Sequence, residues 1–207
     1  MIKKIDGGVT AAKGFEAAAA EARIKYKDRK DMALIYSPVP CAAAGTFTTN
    51  VVKAAPVKWD QEIVKHSPSV QAVVINSGIA NACTGAEGYG YCEQTAQAAE
   101  RLLGIPASSV LVASTGVIGM QLPIGRIKDG VALLAGAKAD TAEAGLEAAK
   151  AIMTTDTKPK YAAAQVEIGG KTVTVGGMCK GSGMIHPNMC TMLGFVTTDA
   201  AITKELL

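Results

Sequence analysis

Apolar positions recur along this chain with two periods, and the alternation between them predicts an α/β fold of mixed β-sheets layered with helices. Residues 70–75 and 110–113 are short unbroken apolar runs, the pattern of strands covered on both faces. Residues 31–38 and 42–52 read as further strands, the second rich in β-branched and aromatic side chains. Cys92, Ala96, Ala99 and Leu103 fall on one helical stripe, and Ile124, Ile127, Val131 and Leu134 on another. A third helix is expected to start at Asp140, with Glu143 reaching back to complete a capping box. It runs through Leu146, Ala149 and Met153 and stops before Pro159. Residues 163–168 and 171–175 alternate as strands around Gly169 and Gly170, which predicts a hairpin. Residues 189–197 read as another strand, placed in the middle of the sheets, and Asp199 as the N-cap of a helix over residues 200–207. About two turns of helix are marginal alone, so the sequence is expected to be part of something longer.

Length and charge narrow the function. A chain of 207 residues, 49% of them hydrophobic, buries roughly 70% of its unfolded surface, enough for a large core. The balance of 21 basic and 18 acidic side chains leaves a net charge of +3, with no basic run and few aromatics. Nucleic acid is therefore not expected as the partner. Five cysteines without a C-x-x-C pair suit a reduced, cytoplasmic protein. No signal-like apolar segment and no run of 18 apolar residues occurs, so a soluble, unexported protein without a membrane span is expected. His66 and His186 lack partners at metal-ligand spacing, and no metal site is expected. Neither phosphate-loop pattern is present.

The densest chemistry lies between Lys180 and Asp199, where a cation and a Gly181-Ser182-Gly183 turn precede Cys190 and Thr191. A mid-chain threonine is ordinarily a strand residue. It becomes a nucleophile when a base takes its proton, and its own α-amine serves once the preceding peptide bond is broken. The 190–191 junction is thus a candidate self-cleavage site, with the Cys190 thiol a rival nucleophile and Ser182 a weaker one. Lys180 is either a solvated turn lysine or a partner for a substrate carboxylate. Ser114-Thr115-Gly116-Val117-Ile118-Gly119 follows a buried strand, where open α/β sheets carry ligands. Its peptide N–H groups and the Thr115 hydroxyl can face a developing oxyanion, with Gly116 allowing close approach, or it is simply a turn. Asn76 to Gly85 is a second polar, glycine-punctuated loop. Thr154-Thr155-Asp156-Thr157 groups hydroxyls and a carboxylate at a helix end, usually a sign of caps and turns.

Taken in order and spacing, these motifs resemble the ornithine acetyltransferase (glutamate N-acetyltransferase) family of arginine biosynthesis. The resemblance runs from the Gly7 to Phe15 segment through Arg29 to Ile35, Thr46-Phe47-Thr48-Thr49-Asn50 and Ala54-Ala55-Pro56-Val57. It continues through Asn81-Ala82-Cys83-Thr84-Gly85, the Ser114 to Gly119 and Thr154 to Thr157 segments, and Lys180 to Met189. It implies that residues 1–207 form the N-terminal (alpha-chain) part of a self-processing acyltransferase cut before Thr191, whose second (beta) chain stays associated, as an α2β2 heterotetramer. By the same resemblance Thr191 is the nucleophile that carries an acetyl group from N-acetylornithine to glutamate. Thr115 and Gly116 match its oxyanion-stabilising pair, and Thr154, Lys180 and Thr191 its substrate contacts in this half. No cofactor is implied, and acetyl-CoA is a possible further donor. Cys190 stands where the family more often has alanine. A matured first chain would end there, so the presence of residues 192–207 implies either that Thr191 is uncleaved in this chain or that the precursor was divided by other means. Related folds serve self-cleaving aminopeptidases, so an amidohydrolase, or a fragment that only binds its partner half, are the competing readings.

Overall fold

The computed structural model describes residues 2–181 and 192–207, and in it the strand alternation sorts side chains into two cores on opposite faces of one sheet. That sheet consists of β2 (Glu16–Ala20), β3 (Met32–Cys41), β4 (Val70–Ile79) and β5 (Val110–Val117), in that order. The first two pairings are antiparallel and the last is parallel. Ala18, Ala20, Met32, Leu34, Val74, Val110 and Val112 pack on one face with Cys92, Ala96 and Ala99 of α2 (Gly85–Leu103) and Ile127, Val131 and Leu134 of α3 (Ile124–Ala137). Ala17, Ala33, Ile35, Ile75 and Ala113 face the other way, against Ala148, Ala149, Ala151 and Ile152 in and just after α4 (Ala142–Ala151). Both faces are covered, which explains the unbroken apolar runs.

Beyond α4 lies a second, antiparallel sheet of β1 (Ile2–Ile5), β6 (Lys160–Ile168), β7 (Lys171–Lys180) and β8 (Leu193–Thr198), in the order β1-β6-β7-β8. β6 and β7 form the expected hairpin, with Gly169 and Gly170 both at positive φ. Met178 of β7 and Val9 from a 3₁₀ turn at Gly8–Thr10 join the α4 core. The layers are therefore helices, sheet, α4 with the 3₁₀ turn, and sheet. On the far side of the first sheet, α1 (Ala55–His66) lies along the outer edge of β5.

Four expectations are corrected. Residues 42–52 form no strand, and Val51 is 94% exposed. Their polar side chains bond locally instead, with Asn50 N donating to Thr48 Oγ1 (3.2 Å) and Val52 N to Asn50 Oδ1 (2.9 Å), a competition that Thr and Asn win over an unpaired strand. The cap of α4 is Thr141, whose Oγ1 accepts from Ala144 N at 3.2 Å, not Asp140, and the helix ends before Met153. Asp199 caps no helix. Its carboxylate accepts from Thr174 N (2.7 Å) and Lys13 N (3.3 Å), and residues 200–207 make only a turn, being too short to hold a helix unaided. The strand following Thr191 is an edge of its sheet rather than its middle, since β8 pairs with β7 alone among the described residues.

Candidate active site

The parallel pairing of β4 with β5 sets Ser77 beside Thr115 and Gly78 beside Gly116. Gly116 has φ +133, and a Cβ there would lie 2.2 Å from the carbonyl carbon of Gly78. Only glycine permits this approach. The two strand ends are then fastened together. Ser114 Oγ donates to Asn76 Oδ1 (2.6 Å) and Asn76 Nδ2 to Ile79 O (2.9 Å). Ala80 N donates to Val117 O and Gly119 N to Ala82 O, both at 2.9 Å. Thr115 is half-buried and Gly116 exposed. Both lie within β5 rather than in a turn after the strand as expected, because the ladder to β4 continues through them, so the strand end offers a hydroxyl and a peptide at the surface of a fixed frame.

Ser77 also reaches the next layer, its Oγ donating to Ala151 O at the end of α4 (2.7 Å). Two residues beyond, Arg29 Nη2 donates to Met153 O (2.6 Å), which pins the start of the loop bearing Thr154. The loop then folds about Asp156. That carboxylate, 4% exposed, accepts from Gly181 N at 2.7 Å and Lys160 Nζ at 2.8 Å through Oδ1, and from Thr154 N at 3.3 Å through Oδ2. Lys180 Nζ lies 3.9 Å from Oδ2 and donates to Gly181 O at 3.1 Å, its side chain only 8% exposed. Burial alone raises the Asp156 pKa, but the hydrogen bonds from Lys160, Gly181 and Thr154, with the Lys180 charge, outweigh it and hold the pKa at about 2. A fixed carboxylate thus sits under the ammonium.

The structure brings Thr154 and Lys180 together around Asp156 and links them through Ser77 to Thr115 and Gly116 at the end of β5. An open groove of about 570 Å³ exposes Thr154 and Asp156 with Arg29, Lys30, Glu147 and Lys150 along its walls. Thr115, Gly116 and Lys180 do not line it. The expected nucleophile Thr191, its rivals Cys190 and Ser182, and the 190–191 junction lie outside the described residues. Asp156, which the sequence places only in a hydroxyl-rich cap, proves to be the hub. The signal for it was a lone carboxylate with Lys160 four residues on, facing a second lysine at the end of the next strand.

Other reactive groups stand apart. Burial, with the charge of Asp60 nearby, pushes the Cys92 thiol up to about 12, so it is a packed, inert sulfur. Among the described residues no cluster of three His, Cys, Asp or Glu side chains is placed to hold a metal ion. No described helix is long and apolar enough to cross a membrane.

The fold is α/β, with Thr115 and Gly116 at the end of β5 in one sheet and Lys180 held by a buried carboxylate at the end of β7 in the other. The sequence profile of the ArgJ family matches residues 16–207. The arginine biosynthesis bifunctional protein ArgJ of Symbiobacterium thermophilum is 58% identical over 203 residues, covering 97% of this chain and 50% of that protein. Its Bacillus subtilis counterpart is 45% identical over 207 residues, 100% of this chain and 50% of that protein. The chain thus spans about half the length of the curated relatives it matches. Among solved structures, ArgJ of Bacillus halodurans superposes with a TM-score of 0.86 at 42% identity, over 93% of this chain and 98% of that one. Ornithine acetyltransferase of Mycobacterium tuberculosis, complexed with ornithine, gives 0.83 at 40% identity, over 93% and 100%. The chain belongs to the ArgJ family.

Proposed function

We propose that this chain is the N-terminal half of an acetyltransferase of arginine biosynthesis, which moves an acetyl group from N-acetylornithine to glutamate through an ester on Thr191. Cleavage between Cys190 and Thr191 frees the threonine amine, which takes the proton from its own hydroxyl. The hydroxyl oxygen attacks the acetyl carbonyl, the amide C–N bond breaks, and ornithine leaves with the proton on its nitrogen. The glutamate amine then attacks the acetyl-threonine ester, and N-acetylglutamate departs as the hydroxyl is restored. Thr115 and the Gly116 peptide stabilise the oxyanion at each step, while Thr154 and Lys180 hold the amino acid, the lysine by its carboxylate. The chemistry needs no cofactor, and acetyl-CoA can load the same ester as a thioester donor.

The observation that carries this reading is the convergence of Thr154 and Lys180 on one buried carboxylate, joined through Ser77 to Thr115 and Gly116 at the end of β5. Family membership and the ornithine held by the Mycobacterium tuberculosis relative support the choice of substrate. The partner is the second half of the same precursor, in an α2β2 assembly in the cytoplasm. Exposed Val51, Val196 and Met192 are apolar surface available to it.

Intact-mass analysis of the full-length protein tests the proposal. A break before Thr191 is expected in the parent and none in Thr191→Ala, with acetyl transfer lost in the variant. A parent that stays whole yet transfers acetyl groups would overturn the N-terminal threonine mechanism. Release of acetate to water at equal rates with and without glutamate would favour an amidohydrolase.

A further inference from the structure

The groups around Lys180 point beyond the lysine itself. A buried ammonium that must pair with an incoming carboxylate needs to be held in place before the substrate arrives, or binding free energy is lost in ordering a long side chain. Asp156 supplies that constraint from a different segment of the chain. Its Oδ1 takes the Gly181 N–H at 2.7 Å, which fixes the backbone immediately after Lys180. Its Oδ2 takes the Thr154 N–H at 3.3 Å and stands 3.9 Å from Lys180 Nζ. A separation of 3.9 Å leaves the ammonium attracted but not closed onto the carboxylate, with Gly181 O its hydrogen-bond acceptor at 3.1 Å. Among the described residues Gly181 O takes one of the three Nζ donors of Lys180. Lys160, 46% exposed, covers Oδ1 from the solvent side.

We propose that Asp156 is a positioning residue for Lys180, which holds the ammonium in one geometry to meet the substrate's α-carboxylate. This rests on the acetyl-transfer reading. Asp156 touches no reacting atom and acts through Lys180, so its loss weakens substrate capture and leaves the chemical step largely intact. In free-energy terms its effect disappears once Lys180 is gone.

The test is a double-mutant cycle in the full-length two-chain protein, assayed for acetyl transfer from N-acetylornithine to glutamate. Asp156→Asn is expected to raise KM for N-acetylornithine about tenfold or more, with kcat within about threefold of the parent. Asp156→Asn combined with Lys180→Ala is expected to have kcat/KM within about twofold of Lys180→Ala alone. A KM within about twofold of the parent in Asp156→Asn, or a double variant whose loss is the product of the two single losses, overturns the assignment. Should Asp156→Asn fail to fold, Asp156→Glu is read the same way. A KM raised about threefold or more at unchanged kcat supports the assignment, and an unchanged KM defeats it. If the parent protein transfers no acetyl group, it is the acetyl-transfer reading that falls. If the parent transfers and only the Asp156 variants are silent, this inference alone falls.

Discussion

Gly116 shows how little freedom the proposed oxyanion site at the end of β5 has. Its φ of +133 is strained for any L side chain, and a methyl group there would meet Gly78 backbone at 2.2 Å. Gly116→Ala must therefore part the ends of β4 and β5, at a cost of about 3 kcal/mol or more from strain and overlap. Urea unfolding of the full-length protein should show the lower midpoint, and kcat for acetyl transfer should fall about 100-fold as the donors move off the oxyanion. A variant with parental midpoint and kcat would remove this strand end from the mechanism. Thr115, Gly116, Thr154 and Lys180 stand out in the sequence as members of polar motifs, and the roles proposed for them come from the family resemblance. The contacts of Asp156 were not legible. Its decisive partners are Lys180 and Gly181, the latter 25 residues away and reached only after the β6–β7 hairpin folds back.

Helix α1 and β5 make a different kind of contact from the other elements. Trp59 Nε1 donates to Val110 O at 3.0 Å and Asp60 Oδ1 accepts from Val112 N at 2.9 Å. Two side chains thus occupy the open edge of β5 as a neighbouring strand would, protecting the edge that carries Thr115. Burial pushes the Asp60 carboxyl up to about 8 against the lowering effect of the Val112 N–H, so the proton is retained at neutral pH. The native state then binds a proton that the unfolded chain releases near pH 4. The associated stability is fully present below about pH 4 and is lost as pH rises through about 8. Asp60→Asn keeps an acceptor for Val112 without the ionisation. Its thermal midpoint should gain on the parent's as pH rises from 5 to 9, whereas equal differences at both values would refute the titration. This contact explains why α1 is hard to see in sequence: its buried apolar residues are only Ala55, Pro56 and Ile63, and its working face is polar. β2 hides for the opposite reason, since Ala17 to Ala20 alternate between two cores with side chains too small to signal a strand. The helices with full apolar stripes and the glycine-turned hairpin, by contrast, could be read directly.

Thr115 and Lys180 lie in different sheets, so the proposed site depends on how closely the layers seat. The seating point is the 3₁₀ turn at Gly8–Thr10. Thr10 Oγ1 donates to Gly7 O (2.8 Å) and to Thr141 O at the cap of α4 (2.9 Å), while Thr197 Oγ1 of β8 donates to Val9 O (2.8 Å). β7 comes so near that a Cβ at Gly176 would stand 1.9 Å from Gly8 O, a backbone atom with no room to withdraw. No periodicity in the sequence announces this joint, because it is made by a glycine on one strand and carbonyls of a turn far away in the chain. Lys180 is four residues beyond Gly176 on the same strand, so a change at one end of β7 is felt at the other. Gly176→Ala should force the second sheet outward, lowering stability by about 2–3 kcal/mol as overpacking does. It should also raise KM for N-acetylornithine, because Lys180 moves relative to Thr115. Both effects are measurable on one preparation, by urea unfolding and initial rates. Thr197→Ala removes only a buried hydrogen bond at the same joint and should cost about 1–2 kcal/mol with KM unchanged. A Gly176→Ala protein that is destabilised but keeps the parental KM would mean that the substrate site is held within one sheet and does not depend on the seating of the layers.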